Sequence, residues 1–375
     1  MDVKYAIVLP ENQKAIYTEY DNVDFKISNV GRKLVGGSVR LLGDVKVSEN
    51  ENLTQLVAYD GFVGAHSYVD SITTSFAKTG QIENIRSYAR YVSATAKAKL
   101  CKEDLINSAY VCENRVVSDK MASNLLKGVH PLLASRSEEY ASATTTKLDF
   151  ATKLDFCLNN MVGDAYLPYE KTGDITISIQ IPRTVSVLYG ESGIGSGKKI
   201  ELENLRISYT TVADDGKYAP KYLMRVKTDI KQSIQSTNSA ISTKVPIVAD
   251  CMFMTFVQQA NENKPLHNGM ACEVLPTVNR VEFLWNDSFS QEFVYQLDNQ
   301  EEILTNYIKA INKGTVGTNH ASLNVLASND AYGLGLYFGQ YLDLSKSKIG
   351  VNIQSGVSSS TPYTAYMFFS GVVEV

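Results

Sequence analysis

The sequence is poor in the residues that catalysis and metal binding draw on. Its four histidines are His66, His130, His267 and His320, scattered over 375 residues. None forms an HxH or HExxH pair, and none stands with a cysteine at a zinc-site spacing; His267 and Cys272 are merely near in sequence. The five cysteines, Cys101, Cys112, Cys157, Cys251 and Cys272, are odd in number and include no CxxC pair. A disulfide scaffold and a structural zinc are therefore disfavoured, and assembly in a reducing compartment is favoured. No GxSxG elbow is present. No apolar run reaches the ~20 residues of a membrane-spanning helix. The start, MDVKYAIVLPENQ, lacks a basic stretch followed by an apolar one, so no signal peptide is expected, and the sequons at Asn52 and Asn286 read as chance matches. An excess of positive charge is missing too. The formal net charge is -4, which argues against coating nucleic acid by direct phosphate contact and against sequence-specific binding to it.

Two further motifs fail on inspection. Residues 190–199 read GESGIGSGKK, but a phosphate loop needs a glycine five positions before its Gly-Lys pair and a hydroxyl residue after it. Here those positions hold Ser192 and Lys199. The segment reads as a solvated hairpin loop. Asp214 and Asp215 lie in a polar stretch and Asp343 at a strand edge, where carboxylates are usually just solvated. Nothing asks for catalysis, a cofactor or a metal, and the chain is expected not to be an enzyme.

What the sequence does contain is strand pattern. Hydrophobic residues make up 44% and charged residues 20%, the balance of a folded globular protein long enough for two cores. There are 22 tyrosines, against 13 phenylalanines and one tryptophan. Tyrosine buries a ring while keeping its hydroxyl wet, which suits protein–protein contact; it also simply favours strands.

One unit organises the chain and occurs twice, at 62–100 and 278–313. Each copy begins as an apolar strand, passes a polar turn and ends as a short amphipathic helix. In the first copy Tyr68, Ile72, Thr74 and Phe76 share a strand face, and Tyr88, Tyr91, Val92 and Thr95 a helix face. In the second, Val281, Phe283 and Trp285 share one face, and Ile303, Leu304, Tyr307, Ile308 and Ile311 follow the helical period. Asn299 with Glu302 forms a capping box, and Gly314 suits the helix end.

Around these units the period of two recurs. It marks strands at Val23–Ile27, at Val39–Val47 with Gly43 at a bulge, at Leu148–Leu158, and at Ile175–Ile181, the cleanest of all. A strand with a register break runs from Ile200 to Tyr209. Others lie at 247–257, 334–338, 349–353 and 363–369. Residues 101–144 read as a long surface excursion with weak helices at 102–110 and 120–127. Residues 210–245 read as a polar connector. Strands without crossover helices exclude a parallel α/β sheet and indicate two antiparallel sandwiches or barrels.

Three stretches carry a resemblance: GAHSYVDSITTSF…GQIENIRSY at 64–88, AYLPYEKTGDITISIQI at 165–181, and GLGLYFGQYLDLSKSKIGVNIQSGVSSSTPYTAYMFF at 333–369. Together with the order of elements, they resemble the double jelly-roll major capsid proteins of tectiviruses, adenoviruses, virophages and Polinton-like viruses. The resemblance implies a mainly all-β fold of two tandem eight-stranded jelly rolls with a few short helices in the loops. It implies an N-terminal arm at 1–20, a first jelly roll at 21–210 with a long loop at 101–144, a connector at 211–245 and a second jelly roll at 246–375. It implies a homotrimer of pseudo-hexagonal outline tiling an icosahedral shell, located in the virion and made inside the host cell. The partners would be copies of itself, penton and minor capsid proteins, and an internal membrane where one exists. For a chain this compact, the tower loops should be small and 101–144 an exposed crown or trimer clasp. Two other readings stay open: a two-domain jelly-roll glycan-binding or spike protein, although no loop concentrates tryptophan with Asp and Asn, and an enzyme on a cupin-like barrel, although histidines are not clustered.

Overall fold

The computed structural model describes residues 2–47, 58–99, 113, 148–163, 166–189, 199–285, 294–313 and 331–375. The excursion at 101–144 with its weak helices, the glycine-rich loop at 190–198, Cys101, Cys112, His130, His320, Gly314 and both sequons lie outside the described residues, Glu113 apart. The longer strands, in chain order, are β1 (Val3–Val8), β2 (Asn22–Ile27), β3 (Arg40–Val47), β4 (Ser71–Phe76), β5 (Gly80–Ile85), β6 (Leu148–Thr152), β7 (Ile175–Gln180) and β8 (Ile200–Ala213). They continue as β9 (Leu223–Ile234), β10 (Asn238–Thr243), β11 (Val248–Gln258), β12 (Arg280–Trp285), β13 (Val294–Leu297), β14 (Gly333–Asp343), β15 (Ile349–Gln354) and β16 (Tyr363–Glu374). The long helices are α1 (Tyr88–Lys99) and α2 (Gln300–Ile311).

The pairing is antiparallel and follows one rule twice. One sheet runs β1–β8–β3–β6, and facing it runs β2–β7–β4–β5. Eight strands later the orders return as β9–β16–β11–β14 and β10–β15–β12–β13. This is the pairing order of a jelly roll, which hides most sheet edges by wrapping Greek keys into a sandwich. The repeated unit takes the same place in both sets: β4–β5–α1 in the first and β12–β13–α2 in the second. Its polar turn turns out to hold a second strand, so each copy is a hairpin followed by a helix.

Alternation explains the outward-facing strands. In β7, Ile175, Ile177 and Ile179 are buried and the residues between them are half-exposed. Asn299 caps α2 by accepting from the backbone N–H of Glu301 at 2.9 Å. The register break expected in β8 lies between Glu203 and Arg206. The bulge is therefore on β8 and not at Gly43 of β3. Gly43 lies opposite it, where a Cβ would stand 2.8 Å from the Leu205 side chain. Gly371 of β16 plays the same part beside a bulge at Asp250 of β11, where a Cβ would fall 2.1 Å from the Val248 carbonyl oxygen.

Three expectations need correction. The stretch at 1–20, read as an arm with a short strand near Tyr5 to Leu9, does hold that strand as β1, but β1 is part of the first sheet and pairs with β8 along its whole length. The connector at 211–245 holds the end of β8 and the strands β9 and β10. Its polarity reflects position: β10 is a sheet edge with mainly exposed side chains, so only Ile241 needs to be fully buried. The apolar run at 148–158 is not one strand. It leaves the sheet after Thr152 and ends in a short 3-10 turn at Cys157–Asn159, although Phe150, Leu154, Phe156 and Leu158 are all buried.

Between the two sandwiches lies a helical layer. Phe253 of β11 and Phe368 of β16 point at Tyr91 of α1, and Phe253 also meets Tyr307 of α2. These strands are thus covered on both faces, which is why their sequences are apolar without a period. Tyrosine divides between uses: Tyr17, Tyr68, Tyr88, Tyr222, Tyr307 and Tyr332 are fully buried, whereas Tyr5, Tyr20 and Tyr341 are exposed. The bulge–glycine fit gives a direct test. Gly371→Ala should lower the urea midpoint by an amount equivalent to about 1–3 kcal/mol, the usual cost of overpacking; an unchanged midpoint would show that the backbone there yields freely.

Candidate functional site

The richest polar chemistry lies at the seam where the two sandwiches meet. β5 and β9 run parallel there, but the ladder is one pair long, Asn84 opposite Thr228. Backbone groups on either side still need partners, because a buried N–H without an acceptor is costly. Two carboxylates supply them. Glu83 accepts from the N–H of Lys227 at 2.8 Å and from the N–H of Cys157 at 2.7 Å. Asp229 accepts from the N–H of Arg86 at 2.6 Å. The side chains thus continue a ladder that the backbones do not make.

Charge balances this burial. Lys227 pairs with Asp155, and its ammonium lies 5.2 Å from the Tyr91 ring centroid. Arg225 pairs with Asp250 at 2.9 Å. Burial pushes the carboxyl of Glu83 up to about 7, although Lys227 and the two backbone donors pull the other way. Burial likewise raises Asp70 to about 6, opposed by Arg90 and assisted by Asp229. Deeper in the seam Lys97 of α1 meets Asp60 at 2.7 Å, both side chains fully enclosed.

Beside these pairs is a cavity of about 610 Å³ lined by residues of both sandwiches, including Asp70, Arg86, Arg90, Arg183, Lys231 and Glu262. Part of its charge is engaged around Glu262. Lys231 and the Tyr366 hydroxyl both meet Glu262, and the Arg90 guanidinium stacks 4.3 Å from the Tyr366 ring centroid. Among the described residues no group of three or more His, Cys, Asp or Glu is placed to hold a metal.

The residues weighed from sequence fall elsewhere. His66 is buried, its Nδ1 2.8 Å from the Tyr88 hydroxyl and its Nε2 3.1 Å from Thr152 Oγ1, an arrangement the Nε2–H tautomer satisfies. His267 faces Glu273 at 3.3 Å, while Cys272 lies by Ser93. Asp214 and Asp215 flank Lys33. Asp343 binds Ser345 and Lys346 at the surface. Trp285 packs against the core. The seam carboxylates were missed because Glu83 and Asp229 sit in strand pattern where any polar residue would read as solvent-facing. Their one signal is placement: both face a strand edge that has no neighbour for most of its length.

A second feature lies at the other end of the first sheet. β1 is its edge strand, and Val3, Tyr5, Ile7 and Leu9 form a row on one face, 59%, 65%, 52% and 52% exposed. An unpaired edge with an apolar face is a template for association unless something covers it.

No protein-family model matches the chain, and no curated protein matches it by sequence. Solved structures do match in shape. The chain is similar to the Faustovirus major capsid protein, with a TM-score of 0.62 at 10% identity over 100% of this chain and 90% of that one. It is similar to the PBCV-1 virus capsid, at 0.60 and 9% identity over 100% and 94%. It is similar to a chain of the Sputnik virophage, at 0.59 and 11% identity over 100% and 85%. The fold is the double jelly roll of these viral capsid proteins.

The seam makes two outcomes measurable. Glu83→Ala leaves two buried N–H groups without an acceptor and should cost about 2–6 kcal/mol in urea denaturation, at about 1–3 per orphaned group. Between the ordinary glutamate value of 4.5 and about 7, the folded chain holds a proton on Glu83 that the unfolded chain has released. Stability from this group therefore falls as pH rises through that window. The wild-type midpoint should be higher near pH 5.5 than near pH 8, and Glu83→Ala should flatten the difference; a midpoint that rises with pH in both proteins would contradict it.

Proposed function

We propose that the chain is a viral major capsid protein that builds an icosahedral shell from copies of itself. The observation that carries this is the doubled pairing order: one chain folds the same strand sequence into two sandwiches, side by side, and matches the capsid chains in shape over the whole of its own length. The division this reading favours is a first module through residue 213, a linker at 214–222, and a second module from Leu223 onward. Three such chains around a closed axis give six like outlines, a shape that tiles a hexagonal lattice. The apolar row on β1 is then covered by a neighbouring copy. On this reading the protein resides in the virion, is made in the infected cell, and meets penton and minor capsid proteins where the lattice changes symmetry. A seam held by buried hydrogen bonds and ion pairs suits a building block, because its work is to keep two modules at one fixed spacing.

Light scattering of the purified protein should give a trimer mass, and negative stain a hexagonal outline; a monomer at high concentration would overturn the reading. Ile7→Asp should weaken association while leaving the urea midpoint of the subunit within about 0.5 kcal/mol, as for other exposed positions. Unaltered assembly would remove β1 from the interface.

A further inference from the structure

The enclosed Lys97–Asp60 pair has a third member. Asn268, in the loop after β11, donates from its Nδ2 to Oδ2 of Asp60 at 2.8 Å. That is the oxygen that Lys97 Nζ meets at 2.7 Å. One carboxylate oxygen therefore holds an amine and a carboxamide within a few ångströms of each other. The Oδ1 atom of Asn268 accepts from the N–H of Met270 at 2.9 Å, which polarises the carboxamide carbon. Lys97 Nζ also donates to the Met270 carbonyl oxygen at 2.9 Å. The loop is pinned from behind, since Gly269 packs so closely on Ser186 that a Cβ would lie 2.2 Å from its carbonyl oxygen. All three side chains belong to buried residues, Lys97 at 3%, Asp60 at 0% and Asn268 at 7% exposure.

From this geometry we propose that Lys97 and Asn268 join in an intramolecular isopeptide bond, with Asp60 as the proton carrier. In the step proposed, one proton passes from Lys97 to Oδ2 of Asp60 along their 2.7 Å contact, while Oδ1 accepts from the Phe62 N–H, and a neutral amine and a neutral acid result. The amine nitrogen attacks Cγ of Asn268, and the oxyanion forms on Oδ1, facing the N–H of Met270. Asp60 gives its proton to Nδ2 and takes one from the attacking nitrogen. The Cγ–Nδ2 bond breaks and ammonia leaves. One C–N bond has formed and one has broken, nothing is oxidised or reduced, and Asp60 ends protonated beside the new amide. The bond ties the helix of the first sandwich to a loop of the second, across the seam.

The inference stands apart from assembly, because it is read on the folded subunit whether or not the subunit associates. Tandem mass spectrometry of a tryptic digest should show a branched peptide joining Lys97 to Asn268, no cleavage after Lys97, and an intact mass short by one ammonia. A succinimide formed by the backbone nitrogen of Gly269 sheds the same ammonia, so the branched peptide is the deciding observation. Full mass in the folded protein, ammonia loss without the branch, or water loss joining Lys97 to Asp60 would each overturn the proposal. Asp60→Asn should retain full mass and an ordinary cleavage site at Lys97; a branch in that variant would exclude Asp60 as proton carrier.

Discussion

Backbone pairing across the seam is sparse: one parallel pair, Asn84 with Thr228, and a short antiparallel step of Met161 and Val162 onto Met224 and Leu223. A sheet edge exposes donors and acceptors that must be paired, covered or wetted. Here they are covered, and the side chains of Glu83 and Asp229 take the places that strand neighbours would fill. Everything else at the seam follows from that choice. Buried carboxylates call for cations, and the buried Lys227 and the half-buried Arg225 answer them. The space above the short ladder is filled by α1, whose residues from Tyr88 to Ala98 are nearly all buried.

This arrangement differs in kind from the interior of either sandwich. Inside, the strands interdigitate apolar side chains and need no charges. At the seam, polar groups fix one relative position of two similar bodies, because a hydrogen bond is lost over a displacement that an apolar contact tolerates. A joint of that kind suits the role proposed above. The bulges at Asn204 and Asp250, each met by a glycine on the adjacent strand, show the same economy inside the sheets.

Much of the architecture could be read directly. The alternation of Ile175 to Ile179, the cap at Asn299 and the break in β8 are local, and local sterics and hydrogen bonding decide them. The repeated strand-to-helix units were legible because each is a contiguous stretch, although the second strand in each was read as a polar turn. Other elements were not. The edge strand β10 looks like linker because an exposed strand needs few apolar residues. The period in α1 read as amphipathic, with Tyr88, Tyr91, Val92 and Thr95 on the covered face, yet Ser93 and Lys97 off that face meet protein too: both donate to the Met270 carbonyl oxygen.

The sequence alone therefore determined the strand periods, the duplication and the all-β class, since each depends on neighbours a few residues apart. Only the tertiary structure decided the partners of Glu83, the enclosure of Lys97 with Asp60 and Asn268, and the exposure of the row on β1. Those depend on which distant segments the topology brings together, and a polar residue in a strand or helix pattern carries no mark of whether water or protein will meet it.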